Sequence, residues 1–234
     1  MQLNNEVVFI SGANRGLGLA FAREALARGA KKVYAGARKP ESVTLAGVIP
    51  LKLDVTNQQD IADAARQCPD VTVLINNAGI AETGSFLTDG AEAMLLRQIE
   101  VNVLGPLRLT RAFAPVLANQ GGGAVINVLS VASWITGPLL ATYAATKSAA
   151  WSLTNALRQE LAPQQTHVLG LHAGFIDTDL TTELDVPKAS PQSIVTAAFD
   201  GLQQGAMQVL ADDITKQVHQ ALSAHPQVYL MAAE

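Results

Sequence analysis

The most informative stretch of the chain is residues 7–18, VVFISGANRGLG. Four apolar residues predict a buried strand, and a glycine-rich turn and a helical pattern follow it at once. Glycine permits a sharp turn and a close backbone approach, while a helix N-terminus offers free N–H groups and a positive dipole end to an anion. This order of elements is typical of a phosphate-binding loop at the first strand of an α/β sheet.

The three glycines of the turn, Gly12, Gly16 and Gly18, follow the spacing Gly-x-x-x-Gly-x-Gly. No Gly-Lys-Ser/Thr sequence is present in the turn, which argues against an ATP-type phosphate loop. A purely structural turn is the alternative, but the strand before it and the helix after it favour binding of a dinucleotide. The predicted cofactor contacts in this loop are Gly12, Asn14, Arg15, Gly16, Leu17 and Gly18.

Outward from this stretch, short apolar runs alternate with helical patterns along most of the chain. Strands are predicted at 7–10, 32–36, 49–53, 71–76, 124–129, 167–172 and 207–210. Helices are predicted at 16–28, 58–67, about 90–118, 142–161, 191–204 and 212–224. The alternation implies right-handed crossovers. We therefore expect an α/β fold, a Rossmann-like, doubly wound parallel sheet in a three-layer α/β/α sandwich. It would form a single domain over 1–234, with a short substrate lid around 177–205.

Composition excludes several classes of function. Hydrophobic residues make up 49% of the chain and charged residues 15%, and the net charge of −4 argues against nucleic-acid binding. No apolar run is long enough for a membrane span, and the start of the chain has no basic segment of the kind that precedes a secretion signal. The single cysteine, Cys68, excludes an internal disulfide, and the four scattered histidines do not form a zinc motif. We expect a cytoplasmic protein without a metal.

The end of the second predicted strand bears on the choice of cofactor. A carboxylate there would accept hydrogen bonds from the ribose 2′-hydroxyl of NAD, whereas this sequence has Ala37, Arg38 and Lys39. Arg38 can form a forked pair with a phosphate, and Arg15 could reach the same group. The two arginines point to NADP(H). The alternative is that Arg38 only ends a strand.

Tyr143 and Lys147 are four residues apart in a helical pattern, so both side chains lie on one helix face. A phenol has a reference pKa of about 10, and a neighbouring cation favours the phenolate. We therefore expect Lys147 to lower the pKa of Tyr143 and to make it a general acid or base. Taken alone the spacing is common, and most matches are a half-buried tyrosine beside a solvated lysine.

Together these motifs resemble those of the short-chain dehydrogenase/reductase family. The resemblance covers nearly all of the chain up to about Thr178 and rests on several features in the same order. They are the loop 11–18, Leu53-Asp54-Val55, Asn76-Asn77-Ala78-Gly79, Asn102, Ser130 placed thirteen residues before Tyr143, Lys147, and Gly174 with Thr178.

The resemblance implies a catalytic set of Asn102, Ser130, Tyr143 and Lys147. Tyr143 would protonate a substrate carbonyl as hydride arrives from the nicotinamide, and Ser130 would orient the same oxygen. Lys147 would also hold the nicotinamide ribose. Asn102 would stabilise a distortion in the long helix predicted at about 90–118 and hold a water that relays protons.

The resemblance also implies contacts to the cofactor and the substrate. Further cofactor contacts would come from Arg38, Asp54, Val55, Asn76, Ala78, Gly79, Tyr143, Lys147, Gly174, Ile176 and Thr178. Substrate contacts would come from Ser130, Trp134, Tyr143 and Phe175, in a mainly apolar pocket.

The resulting expectation is an NADPH-dependent reductase of small ketones or aldehydes, reversible as an alcohol dehydrogenase. A non-catalytic NADP(H)-binding regulatory protein on the same fold is the alternative. An epimerase acting on nucleotide sugars would need more chain after Gly174. Ala173 replaces the family's usual proline, and the chain lacks the frequent glycine-rich closing strand. The expected assembly, a homodimer or a homotetramer, therefore stays open.

Overall fold

The computed structural model describes residues 1–230, and its seven parallel strands form one sheet. The strands are β1 (Val7–Ser11), β2 (Lys32–Ala37), β3 (Ile49–Lys52), β4 (Val73–Asn76), β5 (Gly123–Val128), β6 (Thr166–His172) and β7 (Gln208–Leu210). Their order across the sheet is β3-β2-β1-β4-β5-β6-β7. This is the doubly wound topology that the alternating pattern predicted.

Helices cover both faces of the sheet. They are α1 (Gly16–Ala27), α2 (Gln58–Gln67), α3 (Ala91–Ile99), α4 (Gly105–Asn119), α5 (Ala141–Leu161), α6 (Pro191–Gln203) and α7 (Asp213–Ala221). One apolar cluster joins α1 and α6 to one face of the sheet, and a second joins α2, α4 and α5 to the other. The prediction of a three-layer α/β/α sandwich is confirmed.

The central strands are largely apolar and buried because both faces of the sheet are covered. Val8 and Ile10 of β1 lie in the cluster with α1, whereas Val7 and Phe9 lie in the opposite cluster, where the ring centroids of Phe9 and Phe113 are 4.7 Å apart. Successive side chains of a strand point to opposite faces, so a strand buried on both faces shows no polar alternation. This explains why the strands appear as short unbroken apolar runs.

The sheet reverses its winding between β1 and β4, and hydrogen bonds tie the two strand ends together. Ser11 Oγ donates to Ile75 O at 3.3 Å and accepts from the backbone N–H of Asn77 at 3.0 Å. Asn77 Nδ2 donates to Ser11 O at 2.9 Å and Gly12 O at 3.2 Å. Ligands bind at such a switch point, outside the carboxyl ends of the strands.

Two predictions about helices need correction. The long helix expected at about 90–118 is three pieces, because a π-helical segment, Glu100–Leu104, separates α3 from α4. The lid expected around 177–205 is too long. Its second half is α6, whose buried Ile194, Ala198 and Phe199 pack against α1 as part of the core. Ala189, in the irregular segment before α6, also packs against this cluster.

Within residues 1–230, no helix combines the length and the apolar character that crossing a membrane requires.

Gly18→Ala tests whether the packing of the glycine loop outweighs helix propensity in the free energy of unfolding. On helix propensity alone the change would stabilise α1 by about 1 kcal/mol. However, a Cβ at position 18 would lie 2.0 Å from Gly12 O, a backbone atom that cannot rotate away. We expect a net loss of about 1–3 kcal/mol in the free energy of unfolding, measured by urea denaturation. A variant as stable as the parent would contradict this packing.

Candidate active site

The glycine loop is shaped for a close approach by a ligand. Gly12 has a left-handed backbone with φ of 70°, and its N–H donates to Gly36 O at 2.8 Å. The helix α1 begins at Gly16, and the side chain of Leu17 is buried beneath the loop. A Cβ on Gly12 or Gly18 would clash with the packing inside the loop, and the N-terminus of α1 offers free backbone N–H groups to a phosphate. The loop therefore fits the pyrophosphate of a dinucleotide.

Arg38 lies beside this loop, exposed at the end of β2. Asp54 lies near it after β3. Although partial burial opposes ionisation of Asp54, hydrogen bonds from Thr56 and the charges of Arg38 and Lys52 lower the pKa of its carboxyl group. Val55 is buried next to Asp54. These residues form one corner of the cleft, in the arrangement expected for an adenosine site.

Ser130 and the pair Tyr143 and Lys147 come together from two elements. Ser130 follows β5 by two residues, and its Oγ accepts from Ala132 N at 3.1 Å, which caps a short 3₁₀ turn. Tyr143 and Lys147 lie on one face of α5, with Lys147 Nζ 5.6 Å from the centroid of the tyrosine ring. Lys147 is buried, and its Nζ donates to Val128 O at 2.9 Å. These three residues lie near one another, and their catalytic roles stay predictions.

The pKa of Tyr143 departs from the expectation. Burial of the phenol raises its pKa to about 12, and Ser130 opposes this rise by hydrogen bonding. Burial also lowers the pKa of Lys147 to about 8. The expectation of a lowered pKa for Tyr143 is therefore wrong for this arrangement, because desolvation of the phenol is the largest influence and the ammonium group of Lys147 donates to the Val128 carbonyl.

Asn102 lies in the π-helical segment, so the expected distortion of the helix is present. The residue is buried and not solvated. Its Oδ1 accepts from Ile80 N at 2.9 Å, and its Nδ2 donates to Ile80 O at 2.9 Å and to Thr146 Oγ1 at 3.0 Å. The amide thus joins the chain after β4 to α5, one residue before Lys147. Its role in holding a water stays a prediction.

The motif 76–79 divides its tasks between the sheet and the loop. Asn76 is buried, and its Nδ2 donates to Thr110 Oγ1 at 3.0 Å and Asn127 Oδ1 at 2.8 Å, which braces β4 against α4 and β5. Ala78 N donates to Ser11 Oγ at 3.1 Å. Gly79 is exposed in the cleft, where a Cβ would lie 3.3 Å from Asn102 Oδ1. Asn76 therefore supports the cleft from inside the sheet and does not line it.

The segment after β6 closes the other side of the cleft. Gly174 N donates to Asp212 Oδ2 at 2.7 Å, and Asp212 also caps α7. Ile176 pairs with Ala189 in an isolated β-bridge. Phe175, which precedes Ile176, is half-buried. Thr178 then approaches the glycine loop, because a Cβ on Gly16 would lie 3.4 Å from Thr178 Cγ2. The contacts of Gly174, Ile176 and Thr178 with the nicotinamide end of the cofactor stay predictions.

Trp134 lies in an aromatic cluster behind Ser130. Its ring stacks on His172 with centroids 4.1 Å apart and meets Trp151 and His219 edge-on. His172 Nδ1 lies 3.1 Å from Ser130 O, and because a carbonyl only accepts, the ring must donate to it. His172 therefore supports the turn that carries Ser130. A substrate contact by Trp134 stays a prediction.

Within the described residues 1–230, no group of three or more His, Cys, Asp or Glu side chains could hold a metal ion.

Comparison with known proteins agrees with this geometry. A family model described as short chain dehydrogenase matches residues 6–189. The chain belongs to the short-chain dehydrogenase family. It is thus an oxidoreductase that acts on CH–OH and C=O groups.

Individual members of the short-chain dehydrogenase family match most of this chain. A short chain dehydrogenase from Burkholderia cenocepacia J2315, solved in complex with NADP, is 37% identical with a TM-score of 0.93, covering 97% of this chain and 96% of that one. An oxidoreductase of Botryotinia fuckeliana is 33% identical over 83% of this chain and 75% of its own length. The NADP-dependent 3-hydroxy acid dehydrogenase of Schizosaccharomyces pombe is 29% identical over 96% of this chain and 97% of its own length.

Sequence reasoning did not assign three supporting residues of the short-chain dehydrogenase site. Asn77 Nδ2 donates to Gly12 O in the glycine loop. Thr146 Oγ1 accepts from Asn102 Nδ2, and His172 Nδ1 donates to Ser130 O. Asn77 stands in a motif that was recognised, so its absence from the predicted contacts was avoidable. The contacts of Thr146 and His172 join distant parts of the chain and leave no local pattern.

The burial of His172 predicts a specific dependence of stability on pH. Burial lowers the pKa of His172 to about 4, below its unfolded value of 6.5. Between these values the unfolded chain binds the proton more readily, so the free energy of unfolding falls as the pH decreases from 6.5 to 4. We expect His172→Asn, which retains a donor for Ser130, to remove on the order of 3 kcal/mol of this decrease.

The measurement is thermal or urea unfolding of both proteins at pH 7 and pH 4. His225→Asn removes an exposed histidine and controls for the substitution itself. Identical pH profiles for the parent and His172→Asn would show that His172 is not the group responsible.

Proposed function

We propose that the protein is an NADP(H)-dependent reductase of small ketones or aldehydes, reversible as an alcohol dehydrogenase. The observation that carries the proposal is the placement of Ser130, Tyr143 and Lys147 at the carboxyl ends of the strands, on the same edge of the sheet as the glycine loop. When bound, the nicotinamide would supply the hydride. The relative from Burkholderia cenocepacia, in complex with NADP, supports the choice of cofactor.

Different residues of the cleft would bind different parts of the cofactor. The loop Gly12–Gly18, with Asn14 and Leu17, would hold the pyrophosphate at the N-terminus of α1. Asp54 and Val55 would meet the adenosine, and Arg38 with Arg15 would bind the 2′-phosphate. Lys147 would hold the nicotinamide ribose, and Gly174, Ile176 and Thr178 would contact the nicotinamide.

Tyr143 would act as the proton donor in the reduction. With a pKa of about 12, the phenol keeps its proton and can donate it to the oxygen of a carbonyl substrate. Ser130 would hold the same oxygen by its hydroxyl group. Lys147, with its pKa lowered to about 8, still carries its charge at pH 7 and would stabilise the phenolate that forms.

An apolar substrate suits the rim of the cleft. Leu139 and Leu180 are 72% and 55% exposed, and Phe86 is 51% exposed. Gly84 N donates to Leu139 O at 2.8 Å, so the segments that carry Phe86 and Leu139 lie next to each other. Together with Phe175 and Trp134, these side chains would bury an apolar or aromatic ketone. A homodimer or homotetramer and a cytoplasmic location stay predictions.

Tyr143→Phe tests the proton donor. A positioned general acid contributes about 10²–10⁴-fold to the rate, so we expect kcat for ketone reduction to fall by at least about 100-fold while NADPH binding is unchanged. The measurement is NADPH consumption with a panel of ketones and aldehydes. Tyr34→Phe is the matched control, since Tyr34 OH bonds to Lys32 and Asp70, away from the cleft.

Undiminished turnover by Tyr143→Phe would exclude it as the acid. Tight NADPH binding without turnover of any carbonyl compound by the parent would instead favour the non-catalytic regulatory protein.

Arg38→Gln tests the cofactor preference. Removing a charge-assisted hydrogen bond costs about 1.5–3 kcal/mol, so we expect the KM for NADPH to rise by about 10- to 100-fold. The KM for NADH would change little, because NADH has no 2′-phosphate. Arg66→Gln, at an exposed arginine on α2, is the control. Equal use of both cofactors by the parent would contradict the role of Arg38.

A further inference from the structure

Arg15 of the glycine loop is paired with a carboxylate across the cleft. Its Nη1 lies 2.8 Å from Asp179 Oδ2, and Asp179 begins the 3₁₀ turn Asp179–Thr181 after β6. The two residues are 164 positions apart in the chain. Beside this pair, a Cβ on Gly16 would lie 3.4 Å from Thr178 Cγ2, so the two segments are close there as well. Asp179 therefore ties Arg15 to the segment that follows β6.

Arg15 is also a predicted ligand of the 2′-phosphate, which belongs on the other side of the loop. Gly12 N and Ala13 N donate to Gly36 O at 2.8 and 3.0 Å, so the loop lies against the end of β2, where Arg38 stands. Among residues 1–230, Asp179 is the carboxylate that pairs with Arg15, whereas Arg38 makes no side-chain ion pair there. A phosphate that binds at this corner would therefore find Arg38 without an ion pair among these residues and Arg15 already paired with Asp179.

We propose that Asp179 is a specificity-determining residue that competes with the 2′-phosphate of the cofactor for Arg15. The inference rests on the proposed function, since it assumes that NADP(H) binds with its 2′-phosphate near Arg38. Asp179 weakens the preference for NADP(H) over NAD(H) without touching the reacting atoms. Its effect is specific to NADP(H), because NAD(H) has no 2′-phosphate that could draw Arg15 away from Asp179.

The size of the effect follows from exposure. The side chains of Arg15 and Asp179 are 65% and 67% exposed, and exposed ion pairs contribute about 1 kcal/mol or less. A phosphate can form a forked, charge-assisted pair with the guanidinium group, so it displaces the carboxylate when it binds. Freeing Arg15 beforehand should therefore tighten binding of the 2′-phosphate by about two- to fivefold.

The experiment is a double-mutant cycle measured by equilibrium binding of two probes. Adenosine 2′,5′-bisphosphate carries the 2′-phosphate, and 5′-AMP lacks it. Binding is measured by calorimetry for the parent, Asp179→Asn, Arg15→Gln and the double variant. Asp177→Asn is the matched control, because it removes an equal charge from the same exposed segment without removing a partner of Arg15.

We expect Asp179→Asn to bind the bisphosphate about two- to fivefold tighter and 5′-AMP equally well. The gain should vanish in the Arg15→Gln background and be absent from Asp177→Asn. A gain of equal size in the Arg15→Gln background would overturn competition for Arg15, since it would show direct repulsion of the phosphate. An equal gain in Asp177→Asn would also overturn it, by showing an effect of net charge.

The failure of this inference differs from the failure of the proposed cofactor preference. A parent protein that binds 5′-AMP as tightly as the bisphosphate overturns the preference and, with it, the role of Asp179. A parent that prefers the bisphosphate, with no gain in Asp179→Asn, overturns the role of Asp179 alone.

Discussion

The hydrogen bonds between Ser11 and Asn77 hold the cleft on which the rest of the site depends. They join β1 to β4 at the point where the sheet reverses its winding, and they carry the glycine loop with them through Gly12 O. Gly18 packs against the same atoms, since a Cβ there would lie 2.6 Å from Asn77 Nδ2 and nearer still to Gly12 O. The position of the phosphate loop therefore depends on the side chains of Ser11 and Asn77 and on the absence of a side chain at Gly18.

The catalytic half of the site is held by a second group of buried polar contacts. Asn102 donates to Thr146, and Gln98 Nε2 donates to Thr142 Oγ1 at 2.8 Å, so α5 is joined on both sides of Tyr143 to the helices before β5. Lys147 reaches back to the Val128 carbonyl at the end of β5. Buried hydrogen bonds of this kind are worth little in net stability but fix geometry, because leaving any partner unsatisfied is expensive. They fix the distance between Tyr143 and Ser130.

Local patterns were enough to predict the fold, the glycine loop and the placement of Tyr143 and Lys147 on one face of α5. Ser130 came from the resemblance to the short-chain dehydrogenase family, through its position thirteen residues before Tyr143. Contacts between distant segments could not be predicted. The sequence shows a lysine beside Tyr143, but it does not show that burial dominates the pKa or that Nζ is directed to Val128 O. The pairing of Arg15 with Asp179 and the support of Ser130 by His172 have the same origin. The predicted lid included α6 because the sequence does not show that the apolar face of α6 packs against that of α1.

The central claim is that one cleft brings a nicotinamide to the phenol of Tyr143. The most direct measurement is a crystal structure of the protein with NADP⁺. We expect the pyrophosphate of NADP⁺ to bind on the loop 12–18 and its 2′-phosphate to bind at Arg38. The reactive carbon of the nicotinamide should face Tyr143 and Ser130. Binding of NADP⁺ elsewhere, or with the nicotinamide turned away from Tyr143, would contradict it.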